Sequence, residues 1–148
     1  MATLYMICGL PGSGKTTLAI EIEEERGALR LSEDAWMEAL FQTGYDDERR
    51  DRIKAVQWEV AARVLELGCD VVLDWGFWTR AERDAFKMRA RALGAHPVLQ
   101  FADAPIEVLW QRVGRRNQSL PPGTFHIEEA DLRAWAEQFE PPSSDEFD

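Results

Sequence analysis

A chain of 148 residues with 45% hydrophobic content has the size of a single domain with a real core, and leaves room for few additions. A formal net charge of -10 and an isoelectric point near 4.7 set up a field that repels polyanions, which argues against long nucleic acid or an anionic membrane as partner and for a small one. No apolar run approaches the roughly 18 residues of a membrane helix, and no basic leader precedes an apolar core, so a cytoplasmic protein is expected.

In chain order, Thr3-Leu4-Tyr5-Met6-Ile7-Cys8 reads as a short buried strand. Gly9-Leu10-Pro11-Gly12-Ser13-Gly14-Lys15-Thr16 follows and fits G-x-x-x-x-G-K-[ST] without mismatch, and a helical pattern begins at Thr17. Strand, loop and helix in that order are the context of a phosphate-binding loop. Gly9, Gly12 and Gly14 let the backbone N–H groups turn inward toward phosphate oxygens at the positive end of the helix. Pro11, Ser13 and Thr17 complete the expected contact set, with Lys15 bridging the β- and γ-phosphates of a nucleoside triphosphate and Thr16 ligating Mg²⁺. A dinucleotide fingerprint is excluded, because Thr17 stands where its third glycine would be.

Residues 28–31 form a second short strand, and Ser32 is placed to cap a helix over 33–41 that carries Asp34 in its first turn. Two readings of Asp34 stand: a general base for an attacking hydroxyl beside the γ-phosphate, or an acid that merely suits a helix N-terminus, as Glu33 does. Between residues 46 and 67, Ile53, Val56, Val60, Val64 and Leu67 fall at spacings of three and four, which predicts an amphipathic helix with those residues inward and Gly68 as its stop. The apolar run 70–74 suits a strand covered on both faces of a parallel sheet, and Asp74 at its end is where a carboxylate would support Mg²⁺. Trp75, Phe77 and Trp78 then crowd one loop. They either wall an acceptor pocket, with Arg80 and Arg83 supplying anion contacts, or cap the sheet edge while Arg80 pairs with Asp84.

Thr79 and Glu82 predict a capping box for a helix running to Leu93, and residues 97–101 a fourth strand. A helix starting at 104–107 ends near Arg116, so that Arg112 and Arg116 share a face just before a loop at 117–124. Delivered there, they either close over the phosphates or form a solvated basic end. Residues 128–139 predict a last helix, and 140–148 a tail. Cys8 and Cys69 lie at strand edges and read as core packing. His96 and His126 are isolated and are assigned no metal. Alternating strands and helices imply an α/β doubly wound parallel sheet with ligands at the carboxyl ends of its strands.

These residues resemble the small P-loop kinases grouped with zeta toxin, polynucleotide 5′-kinase, gluconate kinase and chloramphenicol phosphotransferase, proteins described as AAA-family ATPase-like. The likeness is carried by Gly9 to Thr16, by Leu31-Ser32-Glu33-Asp34, by the run from Val71 to Arg83, by Arg112-x-x-x-Arg116-Asn117, and by Phe139-Glu140-Pro141-Pro142 with Asp145-Glu146. It implies a P-loop NTPase fold, Asp34 as base, Asn117 beside the nucleotide at the entrance of a short lid, and a C-terminal tail able to wall the adenine site of a domain spanning 1–139. Only Phe125-His126-Ile127 stands where larger relatives have a fifth strand, so four strands in the order 2-3-1-4 are expected.

The leading functional reading is an ATP- and Mg²⁺-dependent kinase acting on a hydroxyl of a small acceptor. A nucleotide-operated switch without an acceptor and a nucleic-acid 5′-end kinase are the alternatives. The absence of N-K-x-D speaks against a guanine-nucleotide switch, Trp75 after Asp74 against a ring-forming ATPase, and the acidity against end repair.

Overall fold

Each apolar run is followed by a helix that returns over the sheet, and strands joined by such crossovers pair in parallel. A computed structural model describes residues 1–147. Its strands are β1 (Thr3–Cys8), β2 (Leu29–Ser32), β3 (Val71–Gly76) and β4 (His96–Phe101). The helices are α1 (Lys15–Arg26), α2 (Glu33–Phe41), α3 (Asp47–Glu66), α4 (Arg80–Ala92), α5 (Ile106–Gln118) and α6 (Glu129–Gln138), with a short 3₁₀ turn at Ser144–Glu146. All pairings are parallel and the order is β2-β3-β1-β4, as expected from the missing fifth strand.

Alternation along β1 divides the core. Leu4, Met6 and Cys8 pack with Leu73, Ala61, Leu65 and Ala90 on the side of α3 and α4, while Ile7 packs with Val72, Ala19 and Ile22 on the side of α1. A third cluster of Leu10, Leu109, Val113, Ile127 and Leu132 fastens α5 and α6 to the phosphate loop. Local capping fixes where the helices start. Ser32 accepts from the Ala35 amide at 3.2 Å, Asp46 from the Arg49 amide at 3.1 Å and Thr79 from the Glu82 amide at 3.2 Å. Only this half of the Thr79 box is seen, for the Glu82 carboxylate accepts instead from Lys54 at 3.0 Å.

Three expectations are corrected. The inward residues of α3 are Ile53, Gln57, Ala61 and Leu65, whereas Val56, Val60 and Leu67 are exposed. The strict four-residue step keeps a narrow stripe with small Ala61 against the sheet, and Gln57 can be buried because both ends of its amide find partners. The third strand runs to Gly76 rather than Asp74. Its register with β1 shifts after Asp74, so that Ile7 pairs with Asp74 and Cys8 with Gly76, leaving Trp75 as the extra residue of a bulge. Cys69 is exposed, while Cys8 is buried and its thiol is pushed up to about 12 by desolvation that the nearby Arg83 only partly opposes.

Residues 140–147 do not hang free. Phe139 stacks on Phe101 with ring centroids 5.8 Å apart, and the Glu140 amide donates to the Trp78 carbonyl at 2.8 Å. The chain then crosses to α4, where Glu146 is buried against Arg83. Asp148 of the expected tail lies outside the described residues.

Candidate active site

The phosphate loop can curl as it does only because Gly12 has no side chain. Its φ is +83°, and a Cβ there would lie 2.9 Å from the Leu109 carbonyl oxygen. Gly14 opens α1 without any side-chain cap, so the first amides of that helix are left for an anion. The loop floors a cavity of about 790 Å³ to which Gly12, Ser13, Gly14, Lys15, Thr16 and Thr17 all contribute, and Arg112 and Arg116 face it from α5. The Ser13 hydroxyl, buried here, has no hydrogen-bond partner, and neither has Nε of Arg116, so both are donors that a bound anion could satisfy. Arg112 donates to the Gly12 carbonyl at 3.0 Å.

Lys15 and Thr16 converge on Asp74. The lysine Nζ donates to Oδ1 at 3.2 Å, the threonine hydroxyl to Oδ2 at 2.9 Å, and Nζ is also 3.7 Å from Oδ2 of Asp34. Burial works against the Lys15 charge, but Asp74, Asp34 and Glu33 outweigh it and hold the ammonium above the usual lysine range. A hydroxyl beside a buried carboxylate is a hard-oxygen pair of the kind Mg²⁺ takes when phosphates and waters supply its remaining ligands. Among the described residues no group of three or more His, Cys, Asp or Glu could cage a metal without such help.

Asp34 stands where this cavity meets a second one. Its Oδ1 accepts from Nη1 of Arg50 at 2.6 Å. Burial alone would raise its pKa, but Lys15, Arg50 and Arg116 hold the carboxyl below the usual aspartate range. The second cavity, of about 280 Å³, is walled by Trp75, Trp78, Trp135 and Phe125 and carries Glu33, Arg50, Lys54 and Glu82. Pro11, Lys15, Asp34 and Phe125 line both cavities. The bulge brings Trp75 to this wall, and Gln57 fixes it there, accepting from the indole Nε1 at 2.7 Å while donating to the Ser32 carbonyl at 3.1 Å. The roof is a meeting of distant segments: Gly44 lies so close to the Phe125 ring that a Cβ would fall 2.2 Å from it, and Tyr45 makes edge contact with the same ring at 5.7 Å.

Three expected site residues stand elsewhere. Arg83 lines neither cavity. It is fully buried, donating to Glu146 Oε1 at 2.7 Å and to the Phe77 carbonyl at 2.8 Å, so it has no hand free for an acceptor. Arg80 is turned outward to Asp145 at 2.7 Å and Asp84 at 3.5 Å. Asn117 closes the base of the lid by exchanging hydrogen bonds with Ile127, at 2.7 Å and 3.0 Å, and lines neither cavity. The segment expected beside adenine runs to α4, and none of residues 140–147 lines the phosphate cavity. Gly9 shapes the loop from its base, where its amide donates to the Gly76 carbonyl at 2.9 Å.

Arg50, Lys54, Gln57, Glu82, Phe125 and Trp135 join the site without a motif that marks them as site residues. A signal existed for Gln57, a polar residue one turn after Ile53 and one before Ala61 on a face that should be apolar. The others come together only through the approach of α3 and α6 to the sheet edge.

Residues 4–142 match a family model described as an AAA domain. No curated protein matches the chain in sequence. Among solved structures it resembles a proposed kinase from Chloroflexus aurantiacus, at 21% identity and TM-score 0.75, covering 97% of this chain and 83% of that one. Kti12 from Chaetomium thermophilum, solved with ADP-AlF3, matches at 19% and 0.72, over 95% and 81% of the two chains. A gluconokinase from Sinorhizobium meliloti matches at 19% and 0.64, over 97% and 77%. At these identities the likeness establishes the fold.

Proposed function

This chain belongs to the AAA domain family, and from that premise we propose that it is a kinase transferring the γ-phosphoryl group of ATP, with Mg²⁺, to a hydroxyl of a small molecule. One observation carries the reading: the phosphate cavity and the aromatic-walled cavity meet at Lys15 and Asp34. A switch that only bound and released nucleotide would have no need of a second, walled cavity with a carboxylate at the junction.

In this reading the loop amides and Lys15 bind the β- and γ-phosphates. Thr16 and Asp74 would hold Mg²⁺, which neutralises charge on the phosphate oxygens. The acceptor oxygen attacks the γ-phosphorus, the bond from that phosphorus to the β–γ bridging oxygen breaks, ADP leaves, and the hydroxyl proton passes to Asp34. Lys15 turning from Asp34 to the triphosphate relieves the pairing that now depresses the basicity of that carboxylate. Arg116, partly buried and with an unused Nε, meets charge that builds on the transferring group, with Arg112 beside it one turn earlier.

A transfer screen with labelled ATP against sugars, nucleosides, aminoglycosides, chloramphenicol-like alcohols and oligonucleotide ends, with hydrolysis alone as control, tests the reading. In Asp34→Asn we expect ATP affinity near wild type and a rate lower by about 10²–10⁴-fold, the usual cost of losing a general base. Hydrolysis without transfer to any acceptor, undiminished in Asp34→Asn, would return the protein to the class of switches.

A further inference from the structure

We propose that Glu33 is a second acceptor-recognition carboxylate, and that the acceptor carries a second hydrogen-bond donor on the carbon next to the hydroxyl that is phosphorylated. The inference rests on the kinase reading above. Its starting point is a buried carboxylate oxygen without a hydrogen bond. The Glu33 side chain is only 9% exposed, and its Oε2 has no hydrogen-bond partner, while the residue lines the aromatic-walled cavity. Lys54 lies 3.6 Å from that oxygen, near enough for charge but beyond hydrogen-bond reach, and gives its bond to Glu82 at 3.0 Å. A buried carboxylate oxygen left unsatisfied is costly, and a ligand donor would remove that cost.

Position supplies the rest. Nη1 of Arg50 holds Asp34 Oδ1 at 2.6 Å and Glu33 Oε1 at 3.0 Å, so two carboxylates are gathered on one nitrogen. The guanidinium is itself fixed, since Nη2 donates to the Gly44 carbonyl at 2.9 Å and the group lies over the Phe125 ring. Asp34 faces the phosphate cavity as well, whereas Glu33 lines only the acceptor side. A ligand presenting its reacting hydroxyl to Asp34 therefore brings the substituent of the adjacent carbon to Glu33. Trp75, Trp78, Trp135 and Phe125 leave the remaining walls apolar, which fits the flat C–H face of a ring. The class is a vicinal diol or vicinal amino alcohol on a compact, partly apolar frame.

The test uses minimal ring probes: trans-1,2-cyclohexanediol, trans-1,4-cyclohexanediol, cyclohexanol and trans-2-aminocyclohexanol. Each is titrated into the full chain with ADP and Mg²⁺ while the indole N–H signals of Trp75, Trp78 and Trp135 are followed by NMR. The 1,2-diol should bind at least about tenfold more tightly than the 1,4-isomer and the monoalcohol. In Glu33→Met, where Arg50 keeps Asp34 and Lys54 keeps Glu82, the preference should fall to about twofold or less. Tighter binding of the amino alcohol assigns the second donor as an ammonium, and tighter binding of the diol assigns it as a hydroxyl. Equal affinities, no shift at those indoles with any probe, or a preference that survives in a folded Glu33→Met overturns the proposal; the wild-type comparison of isomers decides even if the variant does not fold. Transfer to the same probes is measured in parallel samples with ATP in place of ADP. Transfer to the monoalcohol with no 1,2-preference leaves the kinase and removes the Glu33 role, whereas a Glu33-dependent preference without transfer keeps the recognition and removes the kinase.

Discussion

Glu33 and Asp34 are neighbours in the first turn of α2, yet their surroundings drive their protons in opposite directions. Glu33 is pushed up to about 7 by burial, which Lys54 and Arg50 only partly offset, whereas the charges around Asp34 hold it below the ordinary range. The stability consequence has a definite sign. Between the ordinary 4.5 and about 7 the folded chain holds a proton on Glu33 that the unfolded chain has released, so stability from this group falls as pH rises through that window. Asp34 works the other way, and its contribution disappears only in stronger acid. Glu33→Gln titrates nothing at this position. Its stability relative to wild type should therefore improve from pH 5 to pH 8 by at most about 3 kcal/mol, read by urea denaturation at each pH. A difference that stays flat with pH would mean that Glu33 is ionised throughout. The sequence offered both carboxylates as equals, since a first helical turn suits either. Which one is buried depends on Arg50 and Lys54, contributed by a helix that begins thirteen or more residues later.

At the scale of elements, caps and apolar runs placed the helices and strands within a few residues, because those signals are local. Directions of faces were less readable, because they depend on what arrives opposite. Arg83 shows the difference. From sequence it sits at the active edge with Arg80, but the segment after α6 returns to α4, and Glu146 accepts from its Nε in a pair whose side chains are each 1% exposed. Lys87 donates to the Glu146 carbonyl and the Ser143 amide to the same carboxylate at 2.8 Å, so the strap is clamped at several atoms. Burial would raise the Glu146 pKa, yet the Arg83 and Ser143 hydrogen bonds bring it below the usual range. Removing one partner of such a buried pair typically costs about 3–5 kcal/mol, because the other charge is left without compensation. Arg83→Met and Glu146→Gln should each show that loss in denaturant midpoints. The double variant Arg83→Met/Glu146→Leu should recover a large part of it. Additive losses in the double variant would show that the two side chains stabilise the fold independently.

For the whole molecule, the alternation of strand and helix was enough to give a parallel sheet, the resemblance to small P-loop kinases gave its order, and the phosphate cavity could be read from one motif. Of the second cavity only Trp75 and Trp78 could be read, because Glu33, Arg50, Phe125 and Trp135 join them from segments that no spacing connects. Its roof is a seam where Gly44 rests directly on the Phe125 ring. Two loops eighty-one positions apart therefore meet over the site where an activated phosphoryl group would wait, and the fit depends on one missing methyl group. Gly44→Ala should wedge that seam apart. We expect ATP affinity to be retained, since the phosphate loop is untouched, while acceptor KM rises and ATP breakdown without transfer increases several-fold. The ratio of phosphorylated product to ADP measures this directly. If the chain is the kinase proposed above, bulk water competes with the acceptor as nucleophile, and a seam that closes on the smallest of side chains would limit that waste.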